Sequence, residues 1–305
     1  MAKIRGYNQK LFILPFDHRG YLLDKMFGIK GRKPTPKEKQ VIIEAKKIIY
    51  AGFRLAVDQS LIPKAAAGIL VDEEFGSDIL RDAHQRGYIV CLPVEKTSQV
   101  EFTLEYGSQF GAHIQKYQPT MVKALVRYNP ADSKRLNIRQ QQTLKKVNDY
   151  CQRQGYPFII EPLVPATTAQ LKKVNGNQKL YDQKLRPGLM VQMVRELQNG
   201  GVEPDIWKVE GLDKSADYQK VVKQMQSGGR QNVRAIILGR ASSDQGLVRW
   251  LKAGRKVKGV IGFAIGRTIF WQPLVDHLEK KISRVEAVKR ISQKYYYFYK
   301  IFNQK

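Results

Sequence analysis

The sequence predicts a TIM barrel, a closed (β/α)8 fold spanning residues 1–305 as a single domain. Three observations predict it. Eight short apolar runs recur along the chain, stretches of helical periodicity separate them, and no GxGxxG fingerprint follows the first run. Short runs rich in Val, Ile and Leu suit strands buried on both faces of a parallel sheet. Strands alternating with helices either close into a barrel or open into a doubly wound sheet. The count of eight and the missing fingerprint favour the barrel.

The first run, LFILPF (11–16), is shorter than the hydrophobic region of a secretory signal, so it reads as a strand and the chain as cytoplasmic. The Gly/Pro-rich loop FGIKGRKPTPK (27–37) follows and is expected to be mobile. PTPKEKQVIIEAKKIIYAGF then sets apolar residues at helical spacing behind a leading proline. AGIL (67–70) and YIVCLPV (88–94) are strands two and three. Residues 97–119 add material before strand four, TMVKALVRY (120–128). ADSKRLNIRQQQTLKKVNDYCQRQG carries one apolar stripe and stops at Gly155, a residue suited to a helix end. PFIIEPLV (157–164) is strand five, and the helix RPGLMVQMVRELQNGG leads to DIWKVEG (205–211), strand six. SADYQKVVKQMQSGG is the next helix, and RAIILG (234–239) and KGVIGFAIG (258–266) complete the eight strands. The tail, ISQKYYYFYKIFNQK, gathers four tyrosines and two phenylalanines in one helix. It is expected to pack on the barrel exterior or against a partner subunit, which leaves a homo-oligomer open.

Hydrophobic residues make up 43% of the chain and charged residues 26%, enough apolar material for a large core. No apolar stretch reaches the length of a membrane span, so no membrane partner is expected. Cys91 and Cys151 lie far apart and form no zinc-type spacing; buried thiols are expected. The net charge of +26 favours anionic partners, including nucleic acid, anionic lipid and phosphorylated metabolites. The cations are spread over the whole length, without an RNA-binding motif, a zinc finger or a basic arm. That argues against a nucleic-acid partner, although a non-catalytic basic barrel binding nucleic acid stays as an alternative.

In a barrel the chemistry sits where the strands end at their C-terminal side. Charged residues there are Asp17, His18 and Arg19 after strand one, Asp72 and Glu73 after strand two, and Glu95 and Lys96 after strand three. Strand four contains Lys123 and reaches Arg127, strand five contains Glu161, and strand six contains Lys208 and Glu210. Lys123, Glu161 and Lys208 stand inside apolar strands, where an unpaired charge is costly. Their strands are neighbours, so inward-facing side chains meet. A lysine beside a second cation in a dry pocket loses proton affinity and becomes a nucleophile, and a nearby carboxylate moves protons. Lys123 is expected to be that second cation. A buried Lys–Glu pair that only fixes packing is the competing reading.

Two Gly-Arg steps, Gly239–Arg240 and Gly266–Arg267, end strands seven and eight. Barrels commonly bind phosphate there: glycine lets free backbone N–H groups approach, and arginine adds a bidentate contact. Arginines bonded only to the barrel rim are the alternative. Of the four histidines only His18 lies at a strand end; His84, His113 and His277 do not, so no metal and no cofactor are expected.

Several segments carry a family resemblance: FDHRG (16–20), PVEKTSQVEFTLEYG (93–107), VKALVRYNPAD (122–132), FIIEPLVP (158–165), the run YDQKLRPGLMVQMVRELQNGGVEPDIWKVEGL (181–212), AIILGRAS (235–242) and GVIGFAIGRTIFW (259–271). The chain resembles the bacterial 2-deoxy-5-keto-gluconate 6-phosphate aldolase domain of inositol catabolism, which occurs alone or fused behind a sugar kinase. It is also similar, more remotely, to class I tagatose-bisphosphate aldolases. In their motifs the positions of Asp17, Lys123, Glu161, Lys208 and Arg267 correspond, while His18 stands where a glutamine is usual. The resemblance implies an imine on Lys208 that cleaves 2-deoxy-5-keto-gluconate 6-phosphate into dihydroxyacetone phosphate and malonate semialdehyde. It leaves tagatose bisphosphate or a related ketose phosphate as the alternative substrate. Glu161, or a water it holds, would move protons. Lys123 would contact substrate oxygens, and Asp17, His18, Arg19 and Glu95 would bind the phosphorylated keto-sugar. Gly239, Arg240, Gly266 and Arg267 would hold its phosphate.

Overall fold

The computed structural model describes residues 6–239 and 243–304. Eight parallel strands pair in sequence order and close: β1 (Leu11–Pro15), β2 (Ala67–Leu70), β3 (Ile89–Pro93), β4 (Met121–Arg127), β5 (Phe158–Leu163), β6 (Ile206–Glu210), β7 (Arg234–Leu238) and β8 (Val260–Ala264). The chain forms the expected TIM barrel. Each strand lies inside the apolar run that predicted it, and the runs overshoot because buried residues such as Val164 and Tyr128 continue past the strand ends.

Side chains alternate along a strand, so each strand feeds two cores. Leu11, Ile13, Cys91, Met121, Ile159 and Ile206 fill the barrel interior. Their neighbours Phe12, Leu14, Val122, Phe158, Ile160 and Trp207 face outward into the larger core under the helices. Closure brings β8 so near β1 that a Cβ on Gly262 would collide with the Leu11 carbonyl, so glycine is required there.

The helix Pro36–Asp58 begins where the sequence signals it. Thr35 accepts from Glu38 N–H and the Glu38 side chain reaches back to Thr35 N–H, a reciprocal cap next to a leading proline. Lys134–Gln154 stops at Gly155, whose φ of 78° suits glycine. The terminal helix Arg284–Asn303 lies along Pro36–Asp58, and the buried Tyr295 hydroxyl donates to the Phe12 carbonyl at 2.6 Å. Of the two places expected for the aromatic tail, it takes the barrel exterior. Residues 95–109 fold back through a Glu95–Leu104 bridge before the helix Phe110–Tyr117. Residues 27–34 form no helix or strand, and Lys30 and Lys33 among them border the mouth of the barrel. No helix among the described residues is long and apolar enough to cross a membrane.

Candidate functional site

Parity and register build the site. Met121, Ile159 and Ile206 point into the barrel, so Lys123, Glu161 and Lys208, each two residues further on, point the same way toward the C-terminal mouth. Ile160 lies opposite Trp207, which sets Glu161 beside Lys208. Lys123 lies opposite Ile159, one pleat deeper than Glu161.

One oxygen of Glu161 then serves both amines: its Oε2 stands 2.9 Å from Lys208 Nζ and 2.9 Å from Lys123 Nζ. Lys123 also donates to Glu95 Oε1 at 2.6 Å and to Asp17 Oδ2 at 3.0 Å. Five ionisable groups from β4, β5, β6 and the loops after β1 and β3 therefore share one buried cluster. Lys123 and Lys208 keep 2% and 3% of their side-chain surface exposed. The cluster floors a cavity of about 1000 Å³, bordered also by His18, Tyr21, Gly239 and Arg267.

The sequence suggests Lys123 as a second cation beside Lys208, and the structure encloses that cation in three carboxylates. Burial alone would lower the Lys123 ammonium; Asp17, Glu161 and Glu95 outweigh burial and hold it well above the ordinary lysine range, a fixed positive charge. Burial would raise the Glu161 carboxyl, yet Lys123 and Lys208 overcome that and keep it below the usual carboxylate range. Asp17 is depressed in the same way, with burial opposed chiefly by Lys123. Glu95 goes the other way: burial raises it, and the Asp17 charge adds to the rise against Lys123. His18 is pushed down to about 4, first by burial, so it faces the cavity as a neutral imidazole at ordinary pH.

The remaining expected residues divide. Arg19 borders the cavity, but its guanidinium donates to Glu105 Oε2 and to the Glu95 carbonyl, both at 2.6 Å. It thus braces the loop that carries Glu95 and is not turned toward a ligand. Gly239 also borders the cavity, but its N–H continues the β7–β8 ladder by donating to Ala264 O at 3.0 Å, so it is not the free amide expected. Gly266 starts the helix Arg267–Leu278, where a Cβ would collide with the Pro15 carbonyl. Arg267 lies over the Tyr21 ring at 4.3 Å from its centroid, and its buried Nε has no partner among the described residues. Arg240 lies outside the described residues. Asp72, at the end of β2, is not in the site: it caps the helix Glu73–Gln85 and pairs with buried Lys46.

Three contributors escape sequence reasoning. Tyr21 backs Arg267, Glu105 holds Arg19, and Arg186 pairs with Glu210 at 3.1 Å while Glu210 Oε2 accepts from Val164 N–H at 2.9 Å. The last pair ties the end of β5 to the end of β6, fixing the strands that carry Glu161 and Lys208. Only Glu210 gave a signal, as a second charge in an apolar strand.

The chain belongs to the family described as "Uncharacterized protein conserved in bacteria (DUF2090)", which it matches over residues 1–305. It is 25% identical over 207 residues to a tagatose 1,6-diphosphate aldolase of Listeria monocytogenes, covering 65% of this chain and 54% of that protein. It is 24% identical over 204 residues to tagatose 1,6-diphosphate aldolase 2 of Streptococcus mutans, covering 59% of this chain and 56% of that protein. The chain thus spans little more than half the length of these relatives. Among solved structures, a Schiff-base-forming fructose-1,6-bisphosphate aldolase aligns over 98% of both chains with a TM-score of 0.56 and 13% identity, a likeness of fold.

Proposed function

We propose that this member of the DUF2090 family is a class I aldolase that cleaves a phosphorylated keto-sugar through an imine on Lys208. One observation carries the reading: a single carboxylate oxygen of Glu161 lies 2.9 Å from the Lys208 amine in a buried, cavity-facing cluster. Attack on a ketone needs an amine without its proton, and Glu161 is the group placed to accept that proton. The amine nitrogen bonds the keto carbon and the carbonyl oxygen becomes a hydroxyl. Glu161 returns its proton to that hydroxyl, water departs, and an iminium remains. As a base takes the proton of the hydroxyl on the departing carbon, the iminium draws the electron pair of the carbon–carbon bond, giving an enamine and an aldehyde. Protonation of the enamine and hydrolysis release the second product and Lys208.

Lys123 holds Asp17, Glu95 and Glu161 around the substrate. Neutral His18 offers a hydrogen bond without a charge. Arg267, kept in place by Tyr21, anchors the phosphate with the Gly266 turn, and Arg240 belongs to the same proposed anchor. Holding the remote phosphate lets binding energy position the reacting carbon.

The substrate we assign is 2-deoxy-5-keto-gluconate 6-phosphate, with dihydroxyacetone phosphate and malonate semialdehyde as products, because the motifs around Asp17, Glu95 and Lys208 resemble that aldolase domain. Tagatose bisphosphate is the second reading, favoured by the name of the two curated relatives. Borohydride added with dihydroxyacetone phosphate should fix a covalent adduct on Lys208, and Lys208→Ala should remove it. Full turnover in Lys208→Ala, or turnover stopped only by a chelator, overturns the imine chemistry. Cleavage rates on the two sugar phosphates decide between the substrates.

A further inference from the structure

We propose that Glu95 is a second catalytic acid–base group, which takes the proton from the hydroxyl on the carbon that leaves as the aldehyde. The inference rests on the aldolase reading above and adds a residue to it.

Cleavage makes proton demands at two places. One lies at the imine nitrogen; the other lies at a hydroxyl oxygen several bonds away, on the carbon being expelled. Glu161 is committed to the first, since its Oε2 is shared between the Lys208 and Lys123 amines at 2.9 Å each. Glu95 is separated from Lys208 by that Glu161–Lys123 bridge and borders the same cavity. Its carboxyl is only half used. Oε1 accepts from Lys123 at 2.6 Å, whereas Oε2 is buried and has no partner among the described residues. A buried acceptor left without a donor is costly, and a substrate hydroxyl removes that cost.

The group is also fixed in place. Arg19 donates to the Glu95 carbonyl at 2.6 Å, Glu105 holds Arg19 at 2.6 Å, and the residue pairs with Leu104 in a short bridge. So much bracing of one residue just beyond β3 is more than packing alone explains. The neighbouring carboxyls divide in proton affinity as two proton-transfer groups must: Glu161 and Asp17 fall below the usual range, and Glu95 rises above it.

In the cleavage step the Glu95 carboxylate bonds the hydroxyl proton, and the oxygen–hydrogen electron pair becomes the aldehyde double bond. The carbon–carbon pair moves toward the iminium and neutralises its nitrogen as an enamine. After the aldehyde leaves, Glu95 gives its proton to water in the vacated space, from which the enamine carbon is protonated.

Glu95→Gln keeps the shape of the side chain and an oxygen for Lys123 but cannot carry the proton. Dihydroxyacetone phosphate has no bond to cleave, so the variant should still form the borohydride-reduced adduct on Lys208, which also reports that the site is folded. Cleavage of the sugar phosphate that wild type turns over best should fall about 100-fold or more. The acid-side limb of the kcat–pH profile should disappear from the residual activity, and Glu95→Asp should restore that limb with part of the rate. An intact adduct with cleavage within about threefold of wild type, or an unchanged acid limb, overturns the proposal. Loss of the adduct in Glu95→Gln alone also overturns it, because the residue then acts on imine formation. A wild type that forms no adduct, or cleaves no sugar phosphate, instead fails the aldolase reading beneath.

Discussion

Replacing Lys123 by methionine should destabilise the protein in a way that depends on pH. Lys123 is almost fully buried and sits 2.6, 2.9 and 3.0 Å from Glu95, Glu161 and Asp17. Methionine preserves most of the volume and removes the charge. Glu161 keeps Lys208 as a partner, while Asp17 and Glu95 lose their nearest ammonium group. Removing one member of a buried ion pair costs about 3–5 kcal/mol. Protonation of the abandoned acids offsets some of that, at about 1.4 kcal/mol for each tenfold rise in their proton affinity. A net loss of about 2–3 kcal/mol at pH 7 follows, or about 3–5 °C in Tm for a domain of this size. The directions in which the folded protein moves these groups set the pH window. Lys123 is raised, so its stabilisation is present below the ordinary lysine value and is lost only as pH climbs through the higher folded value. Asp17 and Glu161 are depressed, so theirs is present above the ordinary carboxyl values and is lost as pH falls through the lower folded ones. Glu95, being raised, opposes the trend on the acid side but is one group against two. The gap between wild type and variant should be widest between about pH 5 and pH 10 and should narrow on acidification. Urea unfolding of both proteins at pH 7 and pH 4 measures it. A gap below about 1 kcal/mol at pH 7, or one of equal size at both pH values, refutes the charge-pairing argument.

Two further outcomes follow from single contacts. Arg267→Leu removes a cation whose Nε has no partner among the described residues, so its loss should be felt in substrate binding. At about 1.5–3 kcal/mol for a charged hydrogen bond, KM for the phosphorylated sugar should rise about 10- to 150-fold, with kcat changed far less. An equal rise with the unphosphorylated sugar would falsify the phosphate assignment. Tyr295→Phe deletes the buried bond to the Phe12 carbonyl, at a cost of about 1 kcal/mol. Thermal unfolding should register this with catalytic constants unchanged, and an unaltered Tm means the bond contributes nothing.

The fold was legible because its signals are local. Each strand is a short apolar run, and the helix Pro36–Asp58 announces itself through Thr35, Pro36 and Glu38 within four residues. The fate of the tail was only half legible. Periodicity shows that Tyr295 and Phe302 need a surface to cover them, but not that Phe12 and Phe263 provide it. Phe12 lies nearly three hundred residues away in sequence, and Phe263 more than thirty, where no local pattern reaches.

The site divides along the same line, and the division has a physical cause. Lys123, Glu161 and Lys208 could be found because a charge inside an apolar strand violates the pattern around it, and strand parity then says which way it points. What surrounds each charge is set by register across β1, β3, β4, β5 and β6, and by loops whose conformation no period describes. The enclosure of Lys123 therefore stayed hidden, although Asp17 and Glu95 stood in view at their strand ends. Arg19 and Gly239 show the reverse error. Both occupy strand-end positions suited to ligand contact, yet Glu105 and the Glu95 carbonyl hold the two terminal nitrogens of Arg19, and the Ala264 carbonyl takes the Gly239 N–H. Position at the mouth shows what a residue can reach; the partners already bonded to it decide what it has left to offer. By that measure Lys208, sharing one oxygen of Glu161, and Arg267, with an unspent Nε, have the most to offer a substrate that brings a ketone and a phosphate.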